Sequence, residues 1–445
     1  SRRRSSRRRQ VVSAGVEIGV LTFAPGAGAR PHGRVCAVTQ PEEMLASTHL
    51  HELCDVRPDR RPGSPGNDVA TGYVAATLRS SGWQVTEQGF DVLDWSGSPG
   101  TARVGREQWP VHPSPYARGI ETAGPLVVAR RREDVPDDLR GRVVLLLDDL
   151  AAEQLTPTDY PFYSNDDHAA LVHRLVAARP RVVLAGTGMA PETAGSIEPF
   201  PLIEDGTFPI PTANLRLTDA EGLAAHAGSR VRIDVSAHRW PSRARNVLAR
   251  VGNEQRRVIL TAHVDSKPGT PGALDNAAGV VTLLLVASGL LERNAVDSFA
   301  DVGVEIVVLN GEDCYAAPGE VAYLESSADS LPDAVVAVNI DAAGYRVGLT
   351  AYSLYGVDDN LADVVRASLG SSPRLTEGEQ WFASDHMVFA QRGVPAVALT
   401  TDQLDLVLRE VVHSPHDLPA QVDATLLVEQ ARALVTLTEA VVRRG

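Results

Sequence analysis

Three residues in one short stretch have the types and spacing of a metal site. Val258 to Gly279 reads VILTAHVDSKPGTPGALDNAAG, and it carries His263, Asp265 and Asp275. The apolar run Val258 to Thr261 predicts a buried strand that delivers His263 and Asp265 at its C-terminal end. Positions i and i+2 on a strand share a face, so these two side chains can touch. A Gly/Pro-rich loop follows, then Asp275, then a long apolar helix predicted from Asn276 to Glu292. A histidine, a carboxylate partner and a second carboxylate at strand-end and loop positions suit a metal bound at an α/β sheet.

Further motifs fall at equivalent places. NGEDCYAAPGE follows a predicted strand at Val304–Leu309 and puts Glu312 and Asp313 at its end. Adjacent acids on an extended backbone diverge, so one can bind a metal while the other faces a substrate. NIDAAG puts Asp341 after a strand predicted over Ala334–Ile340, and VVHSPHDLP puts His413 in a Pro-containing loop. Open α/β sheets bind ligands outside the carboxyl ends of their strands, and these motifs converge there. Each has a plainer reading: Asp275 suits a helix cap, Asp313 and Asp341 suit solvated loops, and His416 competes with His413. Convergence favours a metallohydrolase.

The elements that must position these residues form an α/β pattern with an interruption. Residues 1–43 read as a disordered or non-native leader, with six arginines in the first nine positions. Residues 44–95 carry helices at Leu45–Arg57 and Asp68–Ser81 and a strand from Trp83. Residues 96–240 change character to short strands at Val143–Asp148, Val182–Gly186 and Arg230–Ala237, with a helix at His168–Ala178. Residues 241–445 alternate strand and helix, the mark of a layered α/β domain. Their last helix, Thr425–Val442, is amphipathic and is expected to pack across the sheet. His49, His51 and Cys54 look like a ligand cluster, but on a helix His49 and His51 point to different faces.

Composition narrows the function class. The 445 residues are 44% hydrophobic, enough for a large core, and the formal charge of −14 argues against a general nucleic-acid binder. Lys267 is the one lysine in the chain. Cys36, Cys54 and Cys314 have no metal-type or disulfide-framework spacing, which favours a reducing compartment and a cytoplasmic protein. An export signal in the Arg-rich N-terminus would make it secreted instead. No membrane span is expected.

With these motifs in view, the chain resembles the co-catalytic zinc exopeptidases, which include bacterial aminopeptidases, glutamate carboxypeptidase and the non-enzymatic transferrin receptor. The resemblance rests on AHVDS, GALDNAAG, NGED, NIDAAG, SDHMVFAQRGVPAVAL and HSPHD, in the family's order. It implies a three-layer mixed-sheet zinc-peptidase domain, with residues 96–240 as an inserted β-rich protease-associated domain. Carried over, it makes His263 and Asp341 ligands of one zinc ion, Asp313 and His413 ligands of a second, and Asp275 the bridge. Asp265 would orient His263, and Glu312 would be the general base. Two zinc ions so placed activate a water and polarise a carbonyl. The expected substrate is a peptide or small amide; oligomeric state is not legible.

Two departures from the family stand out. Asp313 occupies a position where many members have Glu, and Val412 precedes the ligand histidine where several have an oxyanion-stabilising Tyr. Tyr315, Tyr345 or Trp381 are candidates for that role, as are the zinc ions themselves. The aminopeptidase reading leads. Its rivals are an exopeptidase that reads a substrate carboxylate, a glutaminyl cyclase on the same fold, and a binding protein with a dead site. An arginine cluster at the pocket would favour the first rival, and loss of ligands the last.

Overall fold

The computed structural model describes residues 41–445 except 58, 153–154, 157–164, 189–207, 295, 315–316 and 445. Helices α1 (Glu42–Cys54) and α2 (Pro65–Ser80) lead into strands β1 (Gln84–Val104), β2 (Glu107–Pro113) and β3 (Ile120–Ala129). Then come β4 (Val143–Leu146), α3 (Asp166–Ala178), β5 (Val182–Thr187), β6 (Thr212–Arg216), α4 (Leu217–Ala224) and β7 (Arg230–Val251). β8 (Arg257–His263), α5 (Ala278–Arg293), β9 (Gly303–Leu309), α6 (Pro318–Ser327) and β10 (Val336–Ile340) follow. The chain continues through β11 (Thr350–Tyr355), α7 (Asp359–Leu369), β12 (Leu375–Glu377), α8 (His386–Ala390) and β13 (Ala396–Thr401). It ends in α9 (Leu404–Glu410) and α10 (Ala424–Arg444).

The sheet that carries the site runs in the order β7-β9-β8-β10-β13-β11-β12. Its centre is parallel: β9, β8, β10 and β13 pair side by side in one direction. β7 and β11 flank this block antiparallel. The central strands are apolar on both faces because helices cover both. Val258, Leu260 and Ala262 of β8 join the core built with α5 and α10. Ile259, between them, joins a separate core with Tyr323 of α6 and Val388 and Phe389 of α8. That alternation is the strand period of two expressed as three layers.

The stretch Ala273–Arg293 is long and apolar enough by composition to cross a membrane. Sequence reading expected no such segment. Here it is the central helix of a globular core, with Ala278 through Ala287 all buried.

A second set of strands forms a circuit in which each pairs with the next, β1-β2-β6-β5-β4-β3-β7, and β7 pairs back with β1. One apolar cluster draws on every strand of it, from Ala102 and Val111 to Leu145, Leu184, Leu215 and Ile233, with Leu223 of α4. β1 and β7 belong to both arrangements. Their antiparallel register runs from Gln84↔Arg250 to Arg103↔Arg232 with one irregularity between Ser98 and Thr101. The strand predicted at Arg230–Ala237 therefore runs on without interruption to Val251. The polar run within it, around Trp240 to Arg245, reads as a break in sequence, but it stays paired with β1 throughout. α1 begins at Glu42 rather than Leu45, and residues 1–40 lie outside the described residues.

Candidate metal centre

β8 ends at His263, and the chain turns into the loop before Asp275. His263 and Asp265 are completely buried. Nδ1 of His263 faces Oδ1 of Asp265 at 3.5 Å, and its Nε2 lies 3.2 Å from Oδ1 of Asp275 and 3.5 Å from Oδ1 of Asp341. On the other side, Nε2 of His413 lies 2.8 Å from Oδ2 of Asp275 and 2.8 Å from Oδ1 of Asp313. The two oxygens of Asp275 thus address two different histidines, each with its own second carboxylate. The structure brings His263, Asp275, Asp313, Asp341 and His413 together.

Asp275 sits in a short irregular turn ahead of α5, with φ −121° and ψ 88°. The helix-cap reading fails for it, because Asn276 does that work. Oδ1 of Asn276 accepts from the Gly279 amide at 3.0 Å, and its Nδ2 donates to the Ile340 carbonyl at 2.7 Å. The Asp275 carboxylate is left for the site, held from behind by Asp417. That residue accepts from the amides of Leu274 at 2.6 Å and Asp275 at 3.0 Å.

Asp265 ties two loops together. Its Oδ1 accepts from the Gly311 amide at 2.7 Å and its Oδ2 from the Asp313 amide at 3.2 Å, on either side of Glu312. Glu312 extends to within 3.9 Å of His263 Nε2. Asp341 is held by Ser384, whose Oγ donates to Oδ2 at 2.6 Å and accepts from Asn339 Nδ2 at 2.8 Å.

The electrostatics are those of a site that draws positive charge. Burial opposes protonation of His413, yet Asp313 and Asp275 raise its pKa to about 10. Burial likewise opposes a charge on His263, but Asp265, Asp275 and Asp341 hold its pKa well above the ordinary value. Asp275 loses solvation too, and the two histidines still pull its pKa down. Glu312 moves the opposite way: burial first, then Asp313, Asp341 and Asp385, push it well above the carboxylate range. A group of that kind holds a proton readily, as a general base must. Behind the site Glu320 and Asp385 face each other, both fully buried and both raised by burial first, Asp385 to about 7.

The residues present fit a metal. Both ring nitrogens of His263 and Oδ2 of Asp313 are buried without a hydrogen-bond partner of good geometry among the described residues, an expense that a bound cation would relieve. Ligand atoms of His263, Asp275 and Asp313 lie within 4.8 Å of one another. Imidazole nitrogen with carboxylate oxygen is a donor set that suits zinc.

Other candidates fall away. His49 is buried against the Tyr73 hydroxyl at 2.6 Å, while His51 points to solvent and pairs with Asp55 at 2.8 Å. His386 packs between Tyr355 and Trp381, its Nε2 2.8 Å from the Trp381 carbonyl. Cys314 is buried among Trp95, Tyr116 and Ala237. Tyr315 lies outside the described residues. Sequence reading missed Asp417 and Ser384 as supports, although both sit inside quoted motifs, HSPHD and SDH.

Residues 246–438 match the family model described as peptidase family M28, and every site residue above from His263 to Asp417 lies within that span. Over this segment the chain is similar to that family. The M28 segment also has relatives among curated proteins. A probable leucine aminopeptidase 2 of Aspergillus oryzae is 25% identical over 273 residues, covering 58% of this chain and 51% of that protein. A probable lipoprotein aminopeptidase, LpqL, of Mycobacterium tuberculosis is 27% identical over 264 residues, covering 55% and 48%. The chain spans about half the length of these curated relatives. Among solved structures, a zinc aminopeptidase from Bacillus subtilis superposes with a TM-score of 0.67 at 17% identity, covering 89% of this chain and 94% of the other. An aminopeptidase from Aneurinibacillus sp. strain AM-1 gives 0.66 at 18%, covering 89% and 95%. These likenesses show a shared fold over 89% of the chain.

Proposed function

We propose that this protein is a zinc-dependent aminopeptidase that removes N-terminal residues from peptides. The observation that carries the reading is Asp275, whose two oxygens face His263 and His413 separately. Asp275 would hold both ions, with His263 and Asp341 completing the ligands of one and His413 and Asp313 those of the other. Two bound zinc ions supply a water of lowered pKa and a Lewis acid for the scissile carbonyl.

The protein's own residues do the rest. Glu312, whose Oε2 lies 3.9 Å from His263 Nε2, takes the proton from the attacking water and returns it to the leaving amine. Asp265 sets the His263 ring through Nδ1, and its two backbone contacts fix where Glu312 and Asp313 point.

A site for a substrate carboxylate finds less support. Arg366 pairs with Glu377, Arg374 with Asp423, and Arg346 donates to Gln421. These cations of the M28 segment are engaged away from the centre. The strand circuit joined through β1 and β7 is our candidate for the inserted protease-associated domain, supported by its own apolar core.

The test is turnover of a panel of aminoacyl-anilides by purified protein before and after chelation, with metal content measured by mass spectrometry. The expected result is about two zinc ions per chain, by the logic of paired sites. Hydrolysis should vanish on chelation and return with zinc. Chelator-insensitive turnover, or zinc-loaded protein inert on every N-terminal substrate, would refute the reading.

A further inference from the structure

We infer that Arg60 is a positioning residue for the metal centre: a buried guanidinium that holds the loop between His263 and Asp275 in its ligating shape. The inference rests on the zinc reading given above.

Arg60 is completely buried and is among the largest side chains in the fold to be so. A guanidinium offers five N–H donors in a planar fork and no acceptor, and a buried charge is costly unless those donors are met. Here four of the five are met by backbone carbonyls. Nε donates to Val264 at 2.7 Å, Nη1 to Pro271 at 2.7 Å and to Leu53 at 2.9 Å, and Nη2 to Gly272 at 2.7 Å. The Cys54 thiol lies against the same group.

The choice of carbonyls is what gives Arg60 its role. Val264 follows His263 directly, while Pro271 and Gly272 stand just ahead of Asp275. One side chain therefore grips both ends of the Gly/Pro-rich loop that separates the two ligands. Within that loop the backbone makes little of its own structure, a turn from the Thr270 amide to the Lys267 carbonyl at 3.1 Å. Gly272 shows how closely the parts fit. Its φ is +60°, and a β-carbon there would meet Arg60 Nη2 at 2.8 Å and the Asp275 carbonyl at 2.6 Å.

Arg60 is itself braced against the second ligand loop. Its carbonyl accepts from Asn67 Nδ2 at 2.6 Å. Asn67 and Asn310 exchange amide hydrogen bonds at 2.8 and 2.9 Å, and Asn310 immediately precedes the Gly311–Glu312–Asp313 turn. The turn after α1 and the first turn of α2, both outside the segment matched by the family model, thus support both loops that bear the site. A lysine could not substitute fully, because a point ammonium cannot span the separation that the planar fork covers.

The test compares wild type with Arg60→Lys and Arg60→Gln. Zinc affinity is read by competition with a chromophoric chelator, and melting temperature is read with and without zinc. We expect Arg60→Gln to bind zinc about 10- to 100-fold more weakly, as loss of outer supports does at metal sites. Arg60→Lys should fall between, and the rise in Tm on adding zinc should shrink in the same order. A residue that only filled space would lower the metal-free Tm and leave zinc affinity unchanged; that result overturns the inference. If neither variant folds, hydrogen exchange of metal-free wild type decides. Slow exchange across 264–275 supports preorganisation, and exchange at the rate of an unstructured peptide overturns it. Wild type that binds no zinc at all would sink the metal reading instead, a result distinct from variants that bind as well as wild type.

Discussion

Nε2 of His413 lies 2.8 Å from Oδ2 of Asp275 and 2.8 Å from Oδ1 of Asp313, an approach that favours a proton on this nitrogen in the metal-free protein. Burial opposes a charge on this imidazole, but Asp313 and Asp275 hold its pKa at about 10. A zinc ion needs the same lone pair, so binding must expel the proton. Titration calorimetry of zinc into metal-free protein at pH 7, in buffers of different ionisation enthalpy, should show release of at least one proton. Zero release would mean that His413 is already neutral or takes no part.

The same group sets a pH dependence of opposite sign in the two forms. The folded pKa of His413 is above its ordinary 6.5, so its contribution to metal-free stability is complete below about 6.5 and is lost as pH rises through about 10. Asp275, shifted down, contributes above the ordinary carboxylate range and is lost in acid. Metal-free protein should therefore lose stability between about pH 7 and 10, while zinc affinity rises over the same interval. Urea unfolding at a series of pH values, with and without zinc, would reveal parallel rather than diverging curves if His413 were no ligand.

Glu312→Gln separates proton transfer from metal binding. The amide keeps the size and polarity of Glu312 but cannot take a proton from water. Since Glu312 approaches His263 no closer than 3.9 Å, zinc stoichiometry should stay as in wild type. Turnover should fall by about 10²- to 10⁴-fold, the span of general acid–base contributions, with the loss in kcat. Metal analysis beside steady-state kinetics checks both halves. Full activity in the variant would assign the base elsewhere.

Much of this site was legible because strands impose a period. His263 and Asp265 read as neighbours from their spacing alone, and Glu312 and Asp313 as divergent from their adjacency. The alternating strands and helices after Asn246 placed all of these at strand ends. Arg60 was not legible. It sits in a turn-rich stretch, RRPGSPGN, whose composition announces only a turn, and its partners Val264, Pro271 and Gly272 are more than 200 positions away in sequence. Carbonyl acceptors carry no side-chain signature, so nothing local marks them. The unity of β7 was hidden for a related reason. The residues around Trp240 are polar and partly exposed, and only pairing with β1 makes that stretch a strand.

Asp265→Asn should weaken zinc binding without touching a ligand. The carboxylate faces Nδ1 of His263 at 3.5 Å and accepts from the amides of Gly311 and Asp313. An amide can keep one of those acceptors but presents N–H groups where a second acceptor is needed. It also removes the negative charge that makes His263 a better donor to a metal. Zinc affinity should drop about 10- to 100-fold, and activity should recover in part at high zinc. Equal affinity in chelator competition would show that backbone contacts alone orient His263.

The last expectation concerns the frame rather than the chemistry. Glu305, in the middle of β9 and completely buried, accepts from Arg257 Nε at 2.6 Å, from Arg250 Nε at 2.7 Å and from the Tyr323 hydroxyl at 3.1 Å. Arg257 starts β8, the strand that ends in His263, and it is 1% exposed. Removing the carboxylate strands a buried guanidinium beside its other acceptors, the carbonyls of Gln255 and Ser330 at 3.0 Å. Breaking a buried pair this way costs about 3–5 kcal/mol. Glu305→Ala should lose that much in urea unfolding of zinc-loaded protein, whereas Glu305→Gln, which keeps an acceptor, should lose less. Folded variant should still hold its zinc, because β8 and β9 keep seven paired positions from Arg257↔Gly303 to His263↔Leu309. A loss under about 1 kcal/mol would mean that water reaches Arg257 and the pair is not sealed.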